Sequence, residues 1–543
     1  MQSDRPSKGK SFISELSLGV VKPLAIKILY LVTIPAFFLM VIIHVFSGFA
    51  KRAVSSQRNA DPNAELPAKE IGDPIGNDFN SQSISLIPST GGYHGDIFGY
   101  FKYFFGGWRK SLAQVSERIG KTVFTTNVGS PVIVCGDHKS AETLFKDVSN
   151  FDHSHEINLI CTRGTAPIFA TKGPDAVNAR RFIQYVLAAS PDDKKYKAGL
   201  NSIRADMEHW AGLSSSQLKK MKVEDAVSRL ILNFSSNLLL DASLNRDLIA
   251  KVFPVPSYLP KYPVVPAWLF PSYHLMPDVL SKLFTQMKNS PNWLSIQAAA
   301  SEVGLSDRQA FKHLFTAISF NASGLSNPII NGILLTSLMP EQGRRLLGDD
   351  SLLDSFVWEL MRHNGPTVMM KLADDTLITT AAGDRYLARS GNTVMCNTAM
   401  AQRDPTQWKD PQIFRADRFK DTLSNQSANV DNGGATEPLP TLGFGCPIGH
   451  IDDAKQRNNS HQCPFMSLAH PLVKDFLLIF IQEFRCQIEP SVLDSINLLK
   501  GDNVFDVDFD LSSLRGGPKA TEDMVPNIPG GIRFSSFSIK EKC

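Results

Sequence analysis

The sequence predicts a mainly α-helical chain with a small β-rich region, carried behind an N-terminal transmembrane helix. Three observations predict it. An uncharged apolar run stands near the N-terminus, helical periodicity dominates from Asn178 to Asp350, and short segments of β character occur at 122–136 and 376–397.

Residues 1–23 form a short tail of mixed polarity. In residues 24–50, the stretch Ile28 to Ala50 carries no charge between Lys27 and Lys51. About 20 apolar residues cross a bilayer core, so the run is long enough to span once. It is too long, and begins too late, for a cleaved signal peptide. Pro35 inside it is tolerated in a membrane helix. Cations flank both ends, so charge asymmetry does not set the orientation.

Residues 51–92 are rich in Ser, Asn, Pro and Asp and read as a polar linker. The body follows over 93–543. Within it, TVFTTNV (122–128) and PVIVCG (131–136) suggest a hairpin across Gly129-Ser130. HKSAETLFKD (138–147) has the spacing of an amphipathic helix. Proline-rich residues 252–271 interrupt the helical stretch, and 420–440 form a polar loop. No internal repeat is present.

Composition narrows the function. With 56 Lys+Arg against 53 Asp+Glu over 543 residues, the formal charge of +3 leaves no basic footprint for nucleic acid. Phe outnumbers Tyr and Trp, 34 against 10 and 6, a bias that suits apolar cavities more than polar interfaces. Seven cysteines (135, 161, 396, 446, 463, 486 and 543) are an odd number without CxxC spacing, which argues against a disulfide framework or a zinc module. Reduced thiols, mostly buried, are expected.

Three constellations carry chemistry. Glu359 and Arg362, three apart, share a helix face. A turn-rich segment follows at 399–419, ending in Asp417-Arg418-Phe419. Then Cys463 stands in HQCPFMSLA, directly before a long apolar helical run. A thiolate at a helix N-terminus gains from the dipole and from unpaired N–H groups, and it suits the axial ligation of haem iron.

In this order the motifs resemble the cytochrome P450 superfamily, over residues 93–543. The resemblance implies that Glu359 and Arg362 are the Glu-x-x-Arg pair, that Arg418 completes a structural triad, and that Cys463 is the haem iron ligand. Pro464, Leu468 and Ala469 match the positions that follow the ligand. It also implies Arg180 or Arg181, in GPDAVNARRFIQYVLAAS (173–190), as propionate partners, and the segment 528–536 as a pocket-lining hairpin. For an anchored member it implies the endoplasmic reticulum membrane, with the catalytic domain in the cytosol.

The departures are informative. Gln456, Asn459 and Phe465 replace the aromatic and the two glycines usual around the ligand, and Gly443-Phe444-Gly445 lies upstream across a longer insertion. Cys446 is a rival ligand, but residues 447–460 after it have no apolar helical face. On the long helix expected over the haem (313–335), no acid lies near Gly324. Leu325 and Ser326 stand where an acid–alcohol pair relays protons to dioxygen. Phe320-Asn321-Ala322 resembles instead the branch of allene oxide synthases, hydroperoxide lyases and epoxyalcohol synthases, as does Gln462-Cys463 closing an extended loop.

That branch implies a fatty acid hydroperoxide as substrate, cleaved by ferric haem without dioxygen, reductase or NADPH. Asn321 would hydrogen-bond the hydroperoxide, since an amide both donates and accepts. The alternative is a monooxygenase with an NADPH-dependent reductase partner, acting on a lipid, terpenoid or polyketide, with Ser326 or a water on Asn321 relaying the proton. A third reading is a catalytically silent haem-binding membrane protein.

Overall fold

The structure is a computed structural model. It describes residues 85, 87–88, 108–127, 131–146, 151–153, 173–187, 194–245, 248, 271–364, 368–411, 413–423, 463, 465–493, 509–510 and 532–541. The anchor expected at 24–50, nearly all of the linker, Cys446 and the tip of the C-terminal hairpin lie outside these residues. Among the described residues, no helix is long and apolar enough to cross a membrane.

The β-rich part forms first along the chain. After α1 (Trp108–Ile119), strands β1 (Val123–Asn127) and β2 (Pro131–Cys135) pair antiparallel, with Asn127 opposite Pro131, which is the hairpin expected from the alternation. Then come α2 (His138–Lys146) and β3 (Phe151–His153). The remaining strands arrive much later: β4 (Val368–Leu372), β5 (Thr376–Thr379), β6 (Arg385–Ala388) and β7 (Thr393–Cys396). The five-stranded sheet runs β1-β2-β7-β4-β3, with β2 and β7 parallel, while β5 and β6 make a separate hairpin.

Asp137 locks these parts together. Its carboxylate accepts from Ser140 N at 2.9 Å, capping α2, and also from Thr122 Oγ1 at 2.7 Å and Ala381 N at 3.1 Å.

The helical body holds α3 (Gly173–Val186), α4 (Lys194–Ala211), α5 (Val223–Leu240), α6 (Pro271–Lys288), α7 (Trp293–Glu302) and α8 (Asp307–Leu338). After it come α9 (Pro340–Gly348), α10 (Asp350–His363) and α11 (Met466–Glu483). At 32 residues α8 is about 48 Å long. A reciprocal box starts it: Ser306 N donates to Gln309 Oε1 at 2.9 Å, and Gln309 N donates to Ser306 Oγ.

α8 crosses the core between α5 and α11. Close approach to α11 depends on Gly332, where a Cβ would stand 2.7 Å from a Leu477 methyl. The C-terminal strands β9 (Phe484–Ile488) and β11 (Phe534–Ile539) pair behind α11, and β8 (Ile413–Phe414) pairs with β10 (Phe509–Asp510). Glu224, at the start of α5, accepts from Ile532 N at 2.8 Å and ties the tail to the body.

Candidate active site

Cys463 stands just ahead of α11, whose Leu472, Val473, Phe476 and Leu477 are buried in the main core and fix the helix start. The sulfur is partly buried, and the backbone N–H of Phe465, the N-cap residue, is directed at it. Burial pushes the thiol up, while the Phe465 N–H and the charge of Arg180 act in the opposite sense. Arg180 in turn is lowered to about 10 by burial, and the sulfur counters that. Arg180 on α3 and the Cys463 thiol at the start of α11 therefore influence each other electrostatically in a buried setting.

Of the two arginines on α3, Arg180 is buried and Arg181 is exposed. Adjacent helical residues point about 100° apart, so only one of them turns inward.

α8 packs against both α11 and α3. Leu325 and Ser326 are buried, yet Gly324 beside them is exposed, and a Cβ built on it would meet no atom within 4 Å. Gly324 therefore marks an opening on α8 beside the buried Leu325 and Ser326. Asn321 is buried, and its Nδ2 donates to Ser235 Oγ on α5 at 2.7 Å, which fixes the rotation of the amide. Ser326 Oγ lies 3.0 Å from Ser228 Oγ, also on α5. Ser326 is therefore turned toward α5, about 160° around the helix from Gly324. No motif signals Ser228 and Ser235; their spacing of seven on one helix face is the sole trace in the sequence.

Glu359, Arg362 and Arg418 come together in the core below. Arg362 Nε and Nη2 donate to the two Glu359 oxygens at 2.8 and 2.9 Å, and its Nη1 donates to the carbonyls of Gln402 and Pro411. Arg418 Nε reaches both carboxylate oxygens, at 3.0 and 3.1 Å. Its remaining nitrogens donate to the carbonyls of Lys409, Asp410 and Ile413. Burial alone would push the Glu359 carboxyl up. The hydrogen bonds and charge of Arg362, with a contribution from His363, outweigh it and hold the group well below the usual carboxylate range. The cluster clamps the 402–418 loop onto α10 and does not face Gly324's opening through any described contact.

A thiolate-bound haem needs a sulfur at a helix start, a buried cation for its propionates and room against the facing helix. Cys463 and Arg180 supply the first two, and α8, packed against α3 and α11, carries an open position at Gly324, so the residues present fit the group.

A cytochrome P450 family model matches residues 348–445, the stretch that holds Glu359, Arg362 and Arg418. Over 109 residues the chain is 36% identical to the mitochondrial hydroperoxide bicyclase of Plasmodiophora brassicae; the match covers 19% of this chain and 20% of that one. The chain thus matches a fifth of the length of that curated relative.

Among solved structures, a variant of cytochrome P450 OleT in complex with arachidonic acid is 11% identical with a TM-score of 0.56, covering 84% of this chain and all of that one. A retinoic acid-bound cyanobacterial P450 is 16% identical with a TM-score of 0.57, over 80% and 99% of the two chains. Cytochrome P450EX alpha with myristic acid gives 14%, 0.54, 79% and 98%. At these identities the likeness is one of fold. The fold, the family match across the Glu359 cluster and the placing of Cys463 point one way: the chain is similar in fold to the cytochrome P450s, and over residues 348–445 in sequence as well, and the cofactor this likeness implies is thiolate-ligated haem.

Proposed function

We propose that this chain rearranges or cleaves a fatty acid hydroperoxide without an external electron donor. The observation that carries the reading is the chemistry of α8. Its one acidic residue is Asp307, in the first turn, about 25 Å along the axis from Gly324. No carboxylate of the helix is thus placed to relay protons at the opening, and the nearby Ser326 hydroxyl is engaged with Ser228. A substrate that already carries two oxygens needs no such relay. The bicyclase name of the curated relative and the fatty acids in two solved neighbours fit the same substrate class.

Cys463 would ligate the haem iron and Arg180 would hold a propionate. When bound, thiolate-ligated haem supplies homolytic cleavage of an O–O bond. The chain's own residues then shape the outcome. Gly324 leaves room beside α8 for the oxygen-bearing carbon, and Ser235 holds Asn321 in one orientation. Isomerisation and dehydration of a hydroperoxide conserve electrons, so no reductase enters the balance. We also read residues 24–50 as a membrane anchor that keeps the enzyme close to a lipid substrate.

The test is turnover by the haem-loaded protein of a polyunsaturated fatty acid hydroperoxide, with no NADPH and no reductase. Consumption of the peroxide into epoxyalcohol, allene oxide, aldehyde or cyclised products is expected. Inertness toward hydroperoxides, together with hydroxylation of a fatty acid when reductase and NADPH are added, would establish the monooxygenase alternative instead.

A further inference from the structure

Pro328 lies in the interior of α8. A proline has no N–H, so the carbonyl four residues earlier, that of Gly324, lacks its helical donor, and the ring crowds the same carbonyl. A freed carbonyl takes another partner, water where the residue is open or a ligand that displaces it. This one belongs to Gly324, exposed just ahead of the buried Leu325 and Ser326, at a point where even a Cβ would touch nothing within 4 Å. The freed acceptor therefore belongs to the residue that marks the opening on α8.

Two hydrogen bonds hold it there. Asn321 to Ser235 lies three residues before Gly324, and Ser326 to Ser228 lies two residues after; both tie α8 to α5. The segment between them cannot slide or rotate without breaking one. Two turns further on, on the same helix face, Asn331 is 1% exposed, and its Oδ1 and Nδ2 find no partner among the described residues. A buried amide without a partner is costly, so this face is built to meet polar groups from outside the helix.

We propose that the carbonyl oxygen of Gly324 accepts the O–H of the substrate's oxygen function. The inference rests on the hydroperoxide reading and deepens it: the distal O–H donates to Gly324, which directs the peroxide along α8. Pro328 acts by withholding the competing N–H. Asn321, through Ser235, is a positioning residue for that acceptor.

The probe is a pair of stable ligands, a hydroxy fatty acid and its methyl ether, titrated into haem-loaded enzyme and read by the shift of the haem absorption band. Wild type is expected to bind the alcohol about fivefold to tenfold more tightly than the ether, the range for one hydrogen bond. Pro328→Ala restores an N–H at position 328 and should bring the two affinities together, with the thiolate-type spectrum unchanged. Pro328→Leu, closer in volume, serves if the alanine variant loads haem poorly. Gly324→Ala keeps the freed carbonyl and should weaken both ligands while preserving their ratio. A wild type that does not distinguish alcohol from ether overturns the proposal, as does a preference that survives both Pro328 variants. Hydroperoxide turnover without preference removes the Gly324 role alone; preference without turnover removes the hydroperoxide reading and leaves the acceptor.

Discussion

The sulfur of Cys463 sits in opposing influences. Burial disfavours the thiolate, while the Phe465 N–H, the start of α11 and Arg180 favour it. Such a site keeps a thiol protonated until a cation takes the charge, which is what an iron ligand requires. Cys135 and Cys396 differ. They are fully buried partners on β2 and β7, and burial, the largest influence on Cys135, pushes its thiol up. They serve as small apolar core residues. The expected result is therefore specific to one position. Cys463→Ala should lose the thiolate-type spectrum of the reduced carbon monoxide complex, and Cys446→Ala should retain it. A thiolate spectrum persisting in the Cys463 variant would remove it as the ligand.

At the scale of elements, the parts readable in the sequence are those whose signal is local. The hairpin at 122–136 declares itself by alternation around Gly129-Ser130, and Glu359 with Arg362 by a spacing of three on a helix. Arg418 lies 56 residues past Arg362, and only resemblance could bring it to the carboxylate. Arg180 and Arg181 are equivalent as letters; the packing of α3, with Phe182 and Ile183 buried, decides which one turns inward. The bonds of Asn321 and Ser326 to α5 were illegible for the same reason, because a partner on another helix leaves no periodicity in its own. The apolar run at 24–50 is the reverse case, plain in sequence and outside the described residues. Deleting residues 1–52 should raise the fraction of protein recovered without detergent while haem content per chain stays at the full-length level. A deletion variant that stays in the membrane fraction would count against an anchor there.

For the molecule as a whole, buried titratable groups set the dependence of stability on acid. His363 is fully buried, with Arg362 Nη2 2.6 Å from its Nε2 and Arg403 Nη2 3.3 Å from its Nδ1. Burial, then the charge of Arg362, lowers it to about 3. His313 packs on Phe182 from α8, its Nδ1 has no partner among the described residues, and burial lowers it to about 4. Both folded values lie below the ordinary 6.5, so the unfolded chain takes up protons first as the pH falls. Stability is then lost from about pH 6.5 downward, on the order of 2 kcal/mol per histidine between pH 7 and 5. Glu359, held below its ordinary 4.5, adds to the loss only below that pH, as its folded-state stabilisation disappears on protonation. The urea midpoint, measured at constant ionic strength, should therefore drop steadily from pH 7 to 5. His313→Phe, which places a second ring against Phe182 and removes the titrating group, should flatten about half of that slope. A midpoint constant from pH 7 to 5 would mean that these imidazoles do not stay neutral in the fold.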